Sequence, residues 1–277
     1  MPVIRIVLSC LLLATQAATQ AAAQERRPSH CIALAQETPG LSYVHKAGFR
    51  DVLPEYGVRL RYIAHASFLI QAGDISAVTD FTGFIGNVDF IPDVVTMNHA
   101  HETHWTASPD PIIPHVLPGW GPVGEGIEHH LDLGAMVVRN VSTDIRSFAG
   151  GVEPKGNSIF VFEAEGLCIA HLGHLHHEPS DDQYAALGRM DVVMAPVDGG
   201  FTMDLGSMMR VLRRVKASVV IPMHWFGDAT LGRFLGGMED DFAITFAKAS
   251  EIELSLRSLP DRPTIMVLRP AYLREDE

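Results

Sequence analysis

Residues 93–105, DVVTMNHAHETHW, constrain this chain more than any other stretch. Val94, Val95 and Met97 have the character of a short buried strand, and the segment after it delivers His99, His101 and His104 in quick succession. Two histidines two apart on extended or tightly turned backbone point the same way, and a third one helical turn further on can face them. Neutral imidazole is the commonest protein ligand for zinc and suits other borderline metals. The triplet alone also fits three solvated loop histidines, but two later segments argue against that.

Residues 1–23 read as an export leader: Arg5 supplies positive charge, residues 6–14 an apolar run, and Ala21-Ala22-Ala23 a small-residue cleavage site. The run is too short for a membrane span, and the Leu11-Leu12-Leu13 continuation after Cys10 argues against a lipid anchor. The expected location is therefore the periplasm or outside the cell, with no membrane anchor. Losing the leader removes one arginine and no acid, taking the net charge from −12 to −13. Such a surface repels phosphate backbones, so a small-molecule substrate rather than nucleic acid is the expected partner. Cys31 and Cys168 remain; Cys168 lies in an apolar strand pattern and reads as an inert core thiol, with pairing to Cys31 left open.

Residues 24–57 are polar and mixed, with a short helix expected near 31–36, and read as an N-terminal extension. Regular structure is expected from Val58 onward in one domain, residues 58–277. Residues 58–72 alternate as one strand that turns at Gly73-Asp74 into a second, 75–79, ending at Asp80. Residues 109–126 read as a pocket-shaping loop. Further strands are expected at 135–141, 158–162, 167–172, 192–197, 219–222 and 264–268. Ser180 with Gln183 predicts a capped helix over 181–189, and apolar spacing predicts helices over 205–216 and near 240–249. Polar residues gather at the strand ends, where α/β folds place ligands.

Four such ends carry chemistry: Asp80, residues 99–104, residues 171–177 and His224. One histidine at a strand end is usually a satisfied rim residue; histidines at three converging ends favour a metal site. There is no G-x-S-x-G elbow around Ser207 and no phosphate-cradling loop, which leaves a covalent hydrolase or nucleotide enzyme without support.

The order HAHETH, AHLGHLHH, IPMHWF, together with YIAHASFLI and VTDF, resembles the metallo-β-lactamase superfamily, and most resembles its branch of ascorbate-6-phosphate lactonase-like hydrolases. The resemblance implies an α/β protein, an αββα four-layer sandwich, with a one- or two-metal centre at the sheets' edge. It implies His99, His101, His104, His174 and His224 as metal ligands, with Asp80 in support, His65 near the site and His171 structural or behind the ligands. This chain departs from the family pattern: Thr103 occupies the usual aspartate position, His174 the bridging carboxylate position, and Asp144 is the substitute for a missing middle ligand. Fewer anionic ligands favour one ion, zinc or another divalent metal, over two. The reading is a metal-dependent hydrolase of an ester, lactone, amide or phosphoester, with Thr103 or Asp144 orienting water. The alternative is a non-catalytic metal- or ligand-binding protein on the same scaffold.

Overall fold

The computed structural model describes residues 27, 29–33, 48–147 and 150–276. The leader and much of the N-terminal extension lie outside the described residues. After α1 (His30–Ala33), the chain builds β1 (Val58–Ala64), β2 (Ser67–Ala72), β3 (Ile75–Val78), β4 (Gly86–Asn87), β5 (Val94–Met97) and β6 (His115–Pro118). There follow β7 (His130–Asp132), β8 (Met136–Arg146), β9 (Val152–Ala164), β10 (Leu167–His171), α2 (Asp181–Leu187) and β11 (Val192–Pro196). The last elements are α3 (Leu205–Val215), β12 (Val219–Met223), α4 (Asp228–Met238), β13 (Ala243–Phe246), β14 (Glu251–Leu254), β15 (Thr264–Val267) and β16 (Leu273–Arg274).

Two sheets carry the fold, one ordered β14-β1-β2-β3-β5-β6 and the other β13-β15-β12-β11-β10-β9-β8-β7. Side chains alternate across each strand, so β11 sends Val192 and Met194 between the sheets and Val193 and Ala195 to the opposite face. There α2, α3 and α4 cover them with Leu187, Met208, Leu212 and Phe234. Both faces being buried explains why this strand reads as an uninterrupted apolar run. The outer face of the first sheet packs Phe49, Ile63, Leu69, Val95 and Leu273. Among the described residues it is covered by loops and the β4–β16 ribbon rather than by helices.

Several local expectations need correction. The alternating stretch 58–72 is two strands, because His65 adopts φ +45° and turns the chain between β1 and β2. The loop 109–126 contains β6, paired in parallel with β5. The helix expected near 240–249 is β13, whose Ile244, Thr245 and Phe246 suit a strand and pair with β15; the helix lies earlier, as α4. Cys168 is no free thiol: it is joined to Cys31, tying α1 to β10. The Ser180 capping box is present, with Ser180 accepting from the Gln183 N–H and Gln183 accepting in return. Among the described residues no helix is long and apolar enough to cross a membrane.

Candidate metal centre

Six strand ends meet at one edge of the sandwich. The β1–β2 turn brings His65, the end of β3 Asp80, the loop after β5 His101 and His104, the loop after β10 His174, the end of β11 Asp198, and the end of β12 His224. The His224 N–H donates to the His65 carbonyl at 2.9 Å, joining the two sheets at the rim, and the Tyr62 hydroxyl donates to the same carbonyl at 2.6 Å. His65, Asp80 and His224 all have positive φ, of 45°, 41° and 56°. Such backbone is costly for non-glycine residues, and it concentrates here where side chains must be aimed.

Donor nitrogens of His65, His101, His104 and His224 lie within 4.8 Å of one another. His174 joins them, its ring 4.8 Å from those of His101 and His104 and 5.0 Å from that of His224. Nε2 of His65, His104 and His224 and both ring nitrogens of His174 are buried without a hydrogen-bond partner. Buried polar atoms are nearly always satisfied, so this many unpartnered ring nitrogens in one cluster fit a cation.

What backs these rings is carboxylate. His104 Nδ1 donates to Asp80 Oδ2, and Asn98 Nδ2 donates to Asp80 Oδ1 at 2.9 Å. His224 Nδ1 stands 2.9 Å from Asp198 Oδ2, at ion-pair distance but off the line of a well-formed hydrogen bond. A proton held on Nδ1 leaves Nε2 as the lone-pair donor, the arrangement by which proteins orient metal-binding histidines. His101 is set by Thr103, whose hydroxyl lies 2.8 Å from its Nδ1.

Burial and the neighbouring histidines push the His65 imidazole down to about 3 and hold His104 and His174 well below their ordinary range. His101 is lowered by the same causes. Burial lifts the Asp80 carboxyl to about 6, against the pull of His171 and the bond from Asn98. Burial works against charge on Asp198 too, but the adjacent His224 imidazole and bonds from Thr202 and Gly200 outweigh it and hold the carboxyl far down. At neutral pH His65, His101, His104 and His174 are therefore neutral imidazoles, the form in which a histidine can hold a divalent cation.

The structure does not bring every expected residue to this point. His99 is 41% exposed at its side chain, stacked on Trp120 and 3.5 Å from Glu153, where the chain bends after Asn98. His65 stands with the donors instead. Asp144 accepts the Lys155 N–H at 2.9 Å beside the β8–β9 bulge and supplies no donor to the cluster. Thr103 is exposed and engages His101, so it acts through that ring. His171 is buried, donating from Nε2 to the Ala66 carbonyl and accepting the Gly173 N–H at Nδ1, a structural post behind the turn. Asp198, Asn98 and Asn157 were not singled out by the sequence; Asp198 had a signal, a carboxylate at the end of an apolar strand. A cavity of about 910 Å³ beside residues 71–76 is lined by none of these histidines.

Fold and site together define a class, a two-sheet sandwich with a candidate metal centre at the sheet edge. The chain belongs to the β-lactamase superfamily domain family, whose profile matches residues 59–224. It is similar to a UPF0173 metal-dependent hydrolase of Alkaliphilus metalliredigens, 24% identical over 203 residues, covering 61% of this chain and 85% of the relative. Another of that name, from Methanoculleus marisnigri, is 25% identical over 221 residues, covering 73% and 94%. Among solved structures, one titled as a zinc-dependent hydrolase of the metallo-β-lactamase superfamily from Thermotoga maritima superposes with a TM-score of 0.56 at 23% identity, covering 76% of this chain and 98% of that one. CmlA, a diiron β-hydroxylase from Streptomyces venezuelae, superposes at 0.51 with 10% identity, covering 74% and 55%. At these identities the two structures share the fold and carry nothing finer.

Proposed function

We propose that this chain is a mononuclear zinc-type hydrolase of neutral carbonyl substrates, esters and lactones foremost, with amides as the slower class. The observation that carries the reading is the convergence of His65, His101, His104 and His224 with His174 beside them, unpartnered nitrogens on His65, His104, His174 and His224, and no carboxylate in the donor group among the described residues. An imidazole nitrogen cannot bridge two ions as a carboxylate does, so this donor set favours one ion over two. His65, His101, His104 and His224 are the ligand set, and His174 stands beside them. The bound ion supplies Lewis acidity and lowers the pKa of water.

The chain's own part is positional. Asp80 holds His104 in one tautomer, Asp198 stands at ion-pair distance behind His224, Thr103 holds His101, and the His65 turn closes the rim. In the reaction, the water oxygen bonds to the acyl carbon and the bond to the leaving group breaks. One water proton passes to the leaving group, and the acid formed releases the other. The sequence motifs' resemblance to lactonase-like hydrolases supports including lactones in the substrate panel, and the disulfide supports an exported protein in an oxidising compartment.

Elemental analysis and turnover on the same preparation test this together. We expect about one zinc-type ion per chain and ester or lactone hydrolysis lost in His101→Ala and on chelation. Two tightly held ions would sink the mononuclear assignment. Stoichiometric metal with no hydrolysis across lactones, esters and amides would leave a non-catalytic metal-binding protein. Iron in place of zinc would align the site with the diiron occupant of this fold.

A further inference from the structure

The rim around the histidines is aromatic. Phe226 follows His224 by two positions, its ring 5.3 Å from that of His224 and 5.6 Å from that of His65, and Phe201 meets it edge-on at 5.5 Å. The two residues are 64% and 70% exposed. A lone exposed apolar residue is ordinary, but two touching rings set against candidate metal ligands form a surface suited to covering by something that enters the site.

The backbone beneath Phe201 is firmly held. Asp198 Oδ1 accepts the N–H groups of Gly200, Phe201 and Thr202 at 2.8, 2.6 and 3.0 Å. The Arg146 guanidinium donates to the carbonyls of the same three residues, and His176 Nε2 lies 3.0 Å from the Phe201 carbonyl. A loop bonded this densely presents its ring in a fixed place, so an arriving group meets a surface already ordered. Asp198 also backs His224, so one carboxylate ties the aromatic rim to the metal donors.

Charge narrows what can enter. The strongest charges acting on His65, His101, His104 and His174 belong to other histidines and to Asp80, Glu102 and Asp198, with no lysine or arginine among them. Arg146 does act on His176, but one of its amino groups is directed at three carbonyls. An acidic chain whose described residues place no lysine or arginine among the strongest charges on these four histidines is poorly built for an anionic substrate.

From this we infer that Phe201 and Phe226 form the specificity subsite, taking an uncharged substrate whose acyl group carries an aromatic ring. The ring packs against the two phenylalanines while its carbonyl faces the histidines. This rests on the hydrolase reading and sharpens its substrate class.

The test compares three 4-nitrophenyl esters on the metal-loaded full chain: acetyl, phenylacetyl and the anionic hydrogen succinyl. Burying one more ring is expected to raise kcat/KM for phenylacetyl over acetyl by at least about tenfold. That ratio should fall to within about threefold in both Phe226→Ala and Phe201→Ala. Calorimetry with the uncleavable 4-phenylbutan-2-one against butan-2-one reads ring binding without turnover, and its preference should vanish in the same variants. No ring preference, a preference untouched by both substitutions, or succinyl as the best ester would overturn the subsite. Ketone binding that needs both rings, with no ester hydrolysed, would keep the subsite and remove the hydrolase reading. Hydrolysis indifferent to the ring would do the reverse.

Discussion

A histidine in this chain acquires its role from what stands behind it. His99 and His65 make the point in opposite directions: the motif spacing favoured His99, yet it stacks on Trp120, while His65, in a stretch that reads as plain strand, turns into the donor set. Spacing reports which side chains leave one segment together; it does not report the bends over residues 99–101 that set His99 against Trp120 and His101 among the donors. Asp198 is the clearest residue to test. Replacing a carboxylate behind a metal-binding histidine typically weakens affinity by about 10–100-fold. Asp198→Asn should therefore lower metal affinity by that factor in competition with a chelator, because it removes the charge opposite His224 Nδ1 and loosens the Gly200–Thr202 loop. Affinity within about twofold of the parent would show that His224 is oriented without it.

Among the elements, the floor beneath the histidines is set by the loops that leave β5 and β10. Asn98 donates to Asp80 and accepts the Ser158 N–H at 2.8 Å, and Asn157 accepts the His174 N–H at 2.9 Å while donating to Thr143. Gly173 lies between these two asparagines at φ +58°, where an added Cβ would sit 2.3 Å from Asn98 Nδ2 and 2.6 Å from Asn157 Oδ1. Gly173→Ala combines left-handed strain with a clash against two buried, fully bonded side chains. It should destabilise the fold by roughly 2–5 kcal/mol in denaturant melts and lower metal occupancy as well. A loss under about 1 kcal/mol would mean that the floor is soft. At this scale much was legible: buried strands such as β11 announce themselves by apolar runs, and α2 by its capping box. The misses had physical causes. The turn at His65 lacks glycine or proline to mark it, and β13 earns its strand state only by pairing with β15, a contact remote in sequence.

For the molecule as a whole, the resemblance anticipated the sandwich, but nothing local announced how its N-terminal segment is fastened. The Cys31–Cys168 bond spans a sequence separation of 137, for which a chain-entropy account gives about 4–5 kcal/mol. Beside it, Ser29 and the His30 N–H bond Glu163, which Arg139 also holds through Nε at 2.7 Å, with both charged side chains nearly sealed from solvent at 7% and 2%. Burial alone would raise the Glu163 carboxyl, but the bonds from Arg139 and Ser29 outweigh it and hold it below its ordinary value of 4.5. The sign follows from the proton count: below 4.5 the unfolded chain takes up this proton before the folded one does. Glu163 therefore stabilises the fold at neutral pH, and that contribution is lost as pH falls from 4.5 through the lower folded value. Glu163→Gln leaves the Arg139 charge buried without its counter-ion, and should cost about 3 kcal/mol at pH 7. The gap between parent and variant should then narrow under acid. The depressed histidines also lose stability under acid, but they do so in both chains, so the difference between the two unfolding curves isolates Glu163. A gap that stays constant from pH 7 to pH 3, in urea titrations followed by circular dichroism, would show that the clasp is held by the disulfide and packing alone.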